Sequence, residues 1–375
     1  MTTVLIFFLV LGALVLVHEL GHFLTARFFG VKAEEFGLGL PPRLGGFKKI
    51  NGKWKWFWGS KESEQVKSEA TIISLNWLPL GGFVKIKGED GVNREPDSFL
   101  SQKAWKRALI VSAGVIMNFI FGAVMFALVF MLGSNQIVDS GDATVDSSQV
   151  RLQIMQVIEG SPASVAGLKI GDVIESLDGQ TFSEVNKAVE YIGSHPSAIK
   201  LSVSRLGEKF DQEITPRRES EASQYRIGVA LVETGMMRYP WYLSIWYGFK
   251  SAGLMAWLIL STFVQILARL ITGQAPGVEV SGPVGIAVMT GQVARMGITY
   301  LLQFAGMLSI NLMVINFLPL PALDGGRFIF ILIEKIRRKP VNQKIESIVH
   351  SIGFLLLMAL ILVITGVDIF KFFRN

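Results

Sequence analysis

The feature that most constrains this chain is a set of long apolar stretches almost free of charge. Residues 4–17 read VLIFFLVLGALVLV, and apolar character continues past His18, Glu19 and His22 to Phe29. Residues 108–133 and 351–370 form two more such runs, and 241–271 and 298–323 are apolar with few interruptions. About 20 residues of this kind are needed for a helix to cross the hydrocarbon core of a bilayer. Other stretches look like ordinary soluble protein, and charged residues make up 18% of the whole, against about 25% in soluble domains. The pattern excludes a disordered chain, a collagen-like chain and a simple soluble enzyme. It predicts an α-helical polytopic membrane protein with a water-exposed part. A signal peptide at 4–17 would need a basic start and a small-residue cleavage site. Met-Thr-Thr is uncharged and the run ends in HELGHFLTARF, so residues 1–29 read as a transmembrane helix.

Basic residues set the expected orientation. Segment 27–107 holds 15 Lys and Arg, several beside the apolar runs, and 335–344 holds five. Residues 134–150 hold three aspartates and no Lys or Arg. Basic loops stay cytoplasmic, which puts 30–107 and 335–344 inside and the segment after 133 outside. Lys371 and Arg374 argue weakly the other way.

His18-Glu19-Leu20-Gly21-His22 is an HExxH motif. Positions i and i+4 share a helix face, so both imidazoles reach one ion and Glu19 stands beside them as a base. Ionisable residues inside a span are costly and point to function. His18 lies about 22 Å along a helix counted from Thr3, in the inner third of a core about 30 Å thick. A catalytic zinc needs a third protein ligand and an open position. There are no cysteines and only four histidines. His195 falls in a soluble segment and His350 starts the last span as an interface residue. Thr25 and Phe28 stand where a metzincin pattern needs Gly and His. The best remaining donor is Asp324, in NFLPLPALDGG at 316–326, where Pro319 and Pro321 break the helix.

HELGH at 18–22 together with NFLPLPALDGG at 316–326 resembles the site-2 protease family of intramembrane zinc metalloproteases. PLGG (79–82) with FVKIKGED (83–90), FxxxKxxxRALIxxAG (99–114) with Asn118, and SGPVGIA (281–287) resemble its bacterial regulator-of-sigma-E protease branch, here with one PDZ domain. The resemblance implies that His18, His22 and Asp324 bind Zn(2+), that Glu19 is the catalytic base, and that Asn316 holds substrate near the metal. Val115 stands where the branch usually has proline, which predicts a less kinked second span.

Both histidines lie toward the inner end of a helix running inward, and Asp324 lies at the end of its own apolar segment. That segment must also run inward, so 241–271 cannot make a single crossing. Lys250, Arg269, Trp241, Trp246 and Tyr247 fit an interfacial helix. Hydropathy alone would give five spans, and this parity argument gives four. The expected organisation is a transmembrane helix at 1–29, a cytoplasmic β segment at 30–107, spans at 108–133, 298–334 and 350–371, a soluble domain at 140–232 and an interfacial region at 241–296.

GSPASVAGLKIGDVIESLDG at 160–179 resembles a PDZ domain, a small α/β fold that binds chain ends by strand addition. Ile227, Gly228 and Val229 are the candidate peptide groove, although a folded size filter with an unused groove fits equally. Residues 71–86 alternate as a β-hairpin or edge strand. A protease must unwind a substrate helix, and a strand edge at Ile72, Ile73, Ser74, Leu75, Gly81 and Gly82 would hold the unwound stretch. The KWKWFW run at 53–58 reads as an anchor at the membrane interface rather than a nucleic-acid site.

The expected protein is therefore an intramembrane zinc endopeptidase of the bacterial cytoplasmic membrane. Its expected substrates are single-span proteins already shortened outside, of anti-sigma-factor or remnant-signal-peptide type. Lipid and a peptide ligand of the PDZ domain are the other expected partners, and nucleic acid is not. The alternative is a non-catalytic PDZ scaffold with a structural metal.

Overall fold

The computed structural model describes residues 2–59, 70–89, 95–137, 150–158, 160–205, 207–218, 224–274, 282–339 and 341–374. Asp90, Ser281 and the acidic stretch 138–149, where the soluble domain was expected to begin, lie outside the described residues. The chain divides into two compact units, Met1–Leu128 with Ile245–Asn375, and Val129–Ser244.

In the first unit, α1 (Thr2–Phe28) carries the HExxH motif. Three strands follow, β1 (Ala33–Ile50), β2 (Lys53–Trp58) and β3 (Ile72–Ile86), in the order β2-β1-β3. Both halves of β3 pair with β1: Gly82–Ile86 runs antiparallel to Ala33–Leu38, and Ile73–Leu75 lies between Phe36–Leu38 and Gly45–Phe47. Trp54, Trp56 and Trp58 alternate along β2 and are exposed, while Phe57 between them is buried.

Helix α2 (Ala104–Leu132) leads into the second unit. There β4 (Ser134–Ile137), β5 (Arg151–Val157), the short helix α3 (Pro162–Val165), β6 (Val173–Leu177), α4 (Val185–Ser194), β7 (Ile199–Arg205), β8 (Glu208–Ile214), β9 (Arg217–Arg218), β10 (Tyr225–Arg226) and β11 (Val229–Met237) follow in turn. They form a six-stranded sheet, β4-β11-β5-β6-β7-β8, and a two-stranded one. Leu152, Ile154, Leu177, Ile199, Leu201 and Val203 are fully buried in one core, so this unit has the interior of an independent domain. Asp172 is buried and takes two hydrogen bonds from Arg205 (Nε at 2.6 Å, Nη2 at 2.7 Å) and one from Lys169 N–H at 2.8 Å.

The chain then forms α5 (Trp241–Ile271), α6 (Pro283–Met296), α7 (Ile298–Phe317), α8 (Asp324–Arg337) and α9 (Gln343–Arg374). Helix α7 stops at Phe317 because Pro319 and Pro321 have no N–H to continue it. Residues 298–334, expected as one span, are therefore two helices joined by a proline loop. Among the described residues five helices, α1, α2, α5, α7 and α9, are long and apolar enough to cross a membrane. The region 241–271, expected as an interfacial segment, is thus an unbroken helix of 31 residues.

Glycines let the helices of this unit touch backbone to backbone. A Cβ at Gly21 of α1 would lie 2.4 Å from the Ala113 carbonyl oxygen of α2, so any side chain there would force α1 and α2 apart. Close approach through small residues is how membrane helices gain packing without a hydrophobic drive.

Candidate metal centre

Helix periodicity puts His18 and His22 on one face of α1, and both are buried. Helix α2 holds their outer ring nitrogens. His22 Nδ1 lies 2.8 Å from the Ile110 carbonyl oxygen, an acceptor, so Nδ1 carries the proton and Nε2 keeps its lone pair. His18 Nδ1 faces the Asn118 side-chain amide at 3.3 Å. Asn118 is fully buried, and Ser309 of α7 donates to its main-chain carbonyl at 2.8 Å. Gly114 lies between these two supports. A Cβ there would sit 2.3 Å from His22 Nε2 and 2.7 Å from His18 Cε1, so the space in front of the imidazoles exists because residue 114 has no side chain.

Asp324 is the first residue of α8 and closes the site from the other end of the sequence. Its Oδ2 lies 3.1 Å from His18 Nε2 and 3.3 Å from His22 Nε2. The two Nε2 atoms are 3.3 Å apart. Oδ2 is buried, and neither contact is aligned as a hydrogen bond. Three donor atoms thus form a near-equilateral triangle aimed at one point. Ligands about 2.0–2.1 Å from a tetrahedral zinc stand about 3.3 Å from one another, so the His, His and Asp donors fit that ion. Asp324 is also at a helix N-terminus, where a negative charge is favoured.

Glu19 points to the β-sheet side. Its Oε2 accepts a hydrogen bond from the Val84 backbone N–H at 3.0 Å. Gly81 and Gly82 run beside α1, with Cβ positions within 3.8 Å of Val15 and, for Gly82, 3.7 Å from Glu19 Cγ. Among the described residues, Gly82–Ile86 pairs with a strand on one flank only. The other flank faces Glu19.

The remaining expected site residues divide. Ile73, Ser74 and Leu75 have β1 paired on both flanks. Their backbone groups are taken up inside the sheet, whereas Gly82, from the same expected set, begins the stretch Gly82–Ile86 that pairs on one flank only among the described residues. Asn316 is half-buried in the last turn of α7, eight residues before Asp324. Ile227 is buried, and its carbonyl accepts from Ala163 N–H at 2.9 Å. The Gly228 carbonyl accepts from Ile158 N–H at 2.9 Å, and Val229 pairs with Val157. Beyond that loop, Val229–Glu233 pairs with β5 on one flank, and Glu233 Oε1 accepts from the Val185 N–H that starts α4.

Sequence reasoning gave no role to Ile110, Gly114, Asn118 or Val84. A buried Asn in an apolar span was a usable signal for Asn118. The Ile110 carbonyl and the Val84 amide are backbone groups, and no residue type announces them.

The family model described as Peptidase family M50 matches residues 6–58 and 61–360. The chain belongs to this family. The M50 protein is 30% identical over 458 aligned residues to zinc metalloprotease RasP of Bacillus licheniformis, covering 100% of both chains. It is 30% identical over 457 to the regulator of sigma-W protease RasP of Bacillus subtilis, covering 99% of both. The PDZ domain of an SdrC-like protein from Listeria monocytogenes is similar over 21% of this chain and 85% of its own length, at 23% identity and a TM-score of 0.20. The M50 protein is therefore a multi-pass zinc metalloprotease of the site-2 type, and zinc is its cofactor.

Proposed function

We propose that this protease cuts transmembrane segments of single-span proteins shortened beforehand on the outer side, such as membrane-tethered anti-sigma factors or remnant signal peptides. The observation that carries the reading is Glu19 placed between the three-donor triangle and an open strand edge. A substrate helix hides its amides in internal hydrogen bonds. Unwound, it can add as a strand along Gly82–Ile86, which brings a peptide bond past Glu19.

In this mechanism His18, His22 and Asp324 hold the ion. Zinc, when bound, polarises the scissile carbonyl and acidifies the attacking water. Glu19 takes the proton of that water and delivers it to the leaving amine. The Val84 N–H steadies the Glu19 carboxylate during the first of these transfers. Asn316 lies at the end of α7 near the same loop and is assigned to holding substrate.

The active centre faces the cytoplasm, because the basic segments 27–107 and 335–344 flank it. The PDZ domain then faces outward, where it filters bulky ectodomains or takes a new chain end at Ile227–Val229. Four spans cross the cytoplasmic membrane. Gly248 of α5 abuts Ala123 and Ala127 of α2, and Gly282, just before α6, lies against Ile364 and Asp368 near the end of α9. Gly291 of α6 lies against Thr3, at the start of α1. Helix α5 thus starts, and α6 lies, at the end of the unit away from the metal site. If α5 crossed, the chain from Ile271 to Gly282 would have to return across about 30 Å of hydrocarbon as a bare extended strand, with its polar groups unsatisfied.

The deciding experiment compares native protein with Glu19→Gln in detergent on an ectodomain-trimmed single-span substrate, with bound zinc measured in both. Cleavage lost and zinc kept in Glu19→Gln supports the assignment. Zinc bound but no cleavage by the native protein across several such substrates overturns the proposed substrate class.

A further inference from the structure

Asp324 is the one donor of the triangle that α1 does not carry, and its place depends on the loop that precedes it. Within that loop the Leu320 N–H donates to the Leu318 carbonyl at 2.7 Å and the Leu323 N–H to the Leu320 carbonyl at 3.3 Å, and neither bond involves Ala322. Pro319 and Pro321 contribute no N–H, and Ala322 adopts φ +74°, a left-handed conformation that is uncommon for a residue with a Cβ. Such a conformation persists only where the surroundings impose it.

The last helix supplies that constraint. The Ala322 N–H donates to His350 Nδ1 of α9 at 2.9 Å. One turn further along α9, Gly353 meets Pro321 so closely that a Cβ there would lie 2.3 Å from Pro321 Cβ and 2.9 Å from its carbonyl oxygen. Helix α9 therefore lies flush on the loop, and His350 bonds the residue two before Asp324. A backbone amide can only donate, so Nδ1 presents its lone pair and the ring proton sits on Nε2. Among the described residues Nε2 is buried without a hydrogen-bond partner. Nδ1 is thus the nitrogen that ties His350 to the protein.

We propose that His350 is a positioning residue for Asp324. Through the Ala322 amide it holds the proline loop in its left-handed turn, and so fixes the third metal donor against His18 and His22. Fixing a ligand from outside the coordination sphere commonly changes metal affinity about 10- to 100-fold. The proposal rests on Asp324 being a metal ligand.

The test uses full-length protein in detergent with two substitutions. His350→Asn keeps an acceptor where Nδ1 stands, and His350→Phe keeps a ring but no acceptor. Zinc affinity is measured by competition with a chelator. The ring tautomer of His350 is read by nitrogen NMR of histidine-labelled, zinc-free protein, the signal being assigned by its loss in His350→Asn. The expected result is a zinc affinity at least about 10-fold weaker in His350→Phe, near-native affinity in His350→Asn, and an Nε2–H tautomer in the native protein. Unchanged affinity in His350→Phe overturns the proposal. So does an equal loss in both variants, which would mean that only packing matters, or an Nδ1–H tautomer. Native protein that bound no zinc would instead fail the ligand assignment, and the tautomer would still report whether Nδ1 holds Ala322.

Discussion

The Val84 backbone N–H donates to Glu19 Oε2 at 3.0 Å, joining the glutamate of the HExxH motif to the rim of the β-sheet. Sheet edge and active centre are therefore one construction. The carboxylate that would move the proton is aimed by the strand that would receive the substrate.

Val84→Pro removes this donor and no β1 ladder bond, because the Val84 N–H points away from β1 toward Glu19. Hydrogen bonds to charged groups contribute about 1.5–3 kcal/mol. A fall in kcat of about 10- to 100-fold is expected, with bound zinc unchanged. Steady-state cleavage alongside metal analysis checks it, and loss of zinc would show that the strand supports the ligands instead.

Gly114→Ala should abolish zinc binding, since its methyl would stand 2.3 Å from His22 Nε2. Gly12→Ala, also in a membrane helix but with no atom within 4 Å of the added Cβ, should bind zinc like the native protein. Metal analysis of the two purified variants separates this local effect from a general intolerance of alanine.

The unit Val129–Ser244 should lose stability in acid. Asp178 is held below the usual carboxylate range by the Lys200 backbone N–H and by the Tyr191 hydroxyl. Its ionised form is favoured in the fold, so its contribution is complete above the unfolded carboxylate value near 4 and is lost as pH falls below it. Thermal unfolding of the full chain from pH 6 to pH 3 should show the transition of this unit moving down, and Asp178→Asn should flatten that dependence. Asp172→Ala should lower the same transition at pH 6, because it removes the buried carboxylate that accepts from Arg205 Nε and Nη2 and from the Lys169 N–H.

The four-span arrangement predicts the labelling of α5. The protein has no cysteine, so Trp257→Cys gives a unique thiol. It should react with an impermeant maleimide added from outside intact cells or stay unlabelled, and should never react from the cytoplasmic side of inverted vesicles. Cytoplasmic labelling would make α5 a fifth crossing.

What the sequence made legible was local or chemical. The four-residue spacing of His18 and His22 is a property of any helix, and Asp324 followed from the scarcity of other donors. The family motifs carried the rest of the reaction. What stayed hidden was set by long-range pairing. The alternation in 71–86 announces strands, but not that Ile73–Leu75 is enclosed by two stretches of β1 while Gly82–Ile86 is left open. Register depends on partners far along the chain. Asn118 could be seen as an oddity in an apolar span, yet nothing local linked it to a ring 100 residues away. His350 read as an interface residue because its partner, the Ala322 amide, has no signature of its own.

The donor triangle draws on residues 18, 22 and 324, and its supports lie at 110, 118 and 350. During synthesis the first membrane helix emerges with its HExxH motif more than 300 residues ahead of the carboxylate that completes it. A half-built chain, already inserted among other membrane proteins, has a base and two imidazoles but no finished cutting centre. On the proposed assignment the separation would act as a safety catch set by translation itself, released only when Asp324 meets His18 and His22.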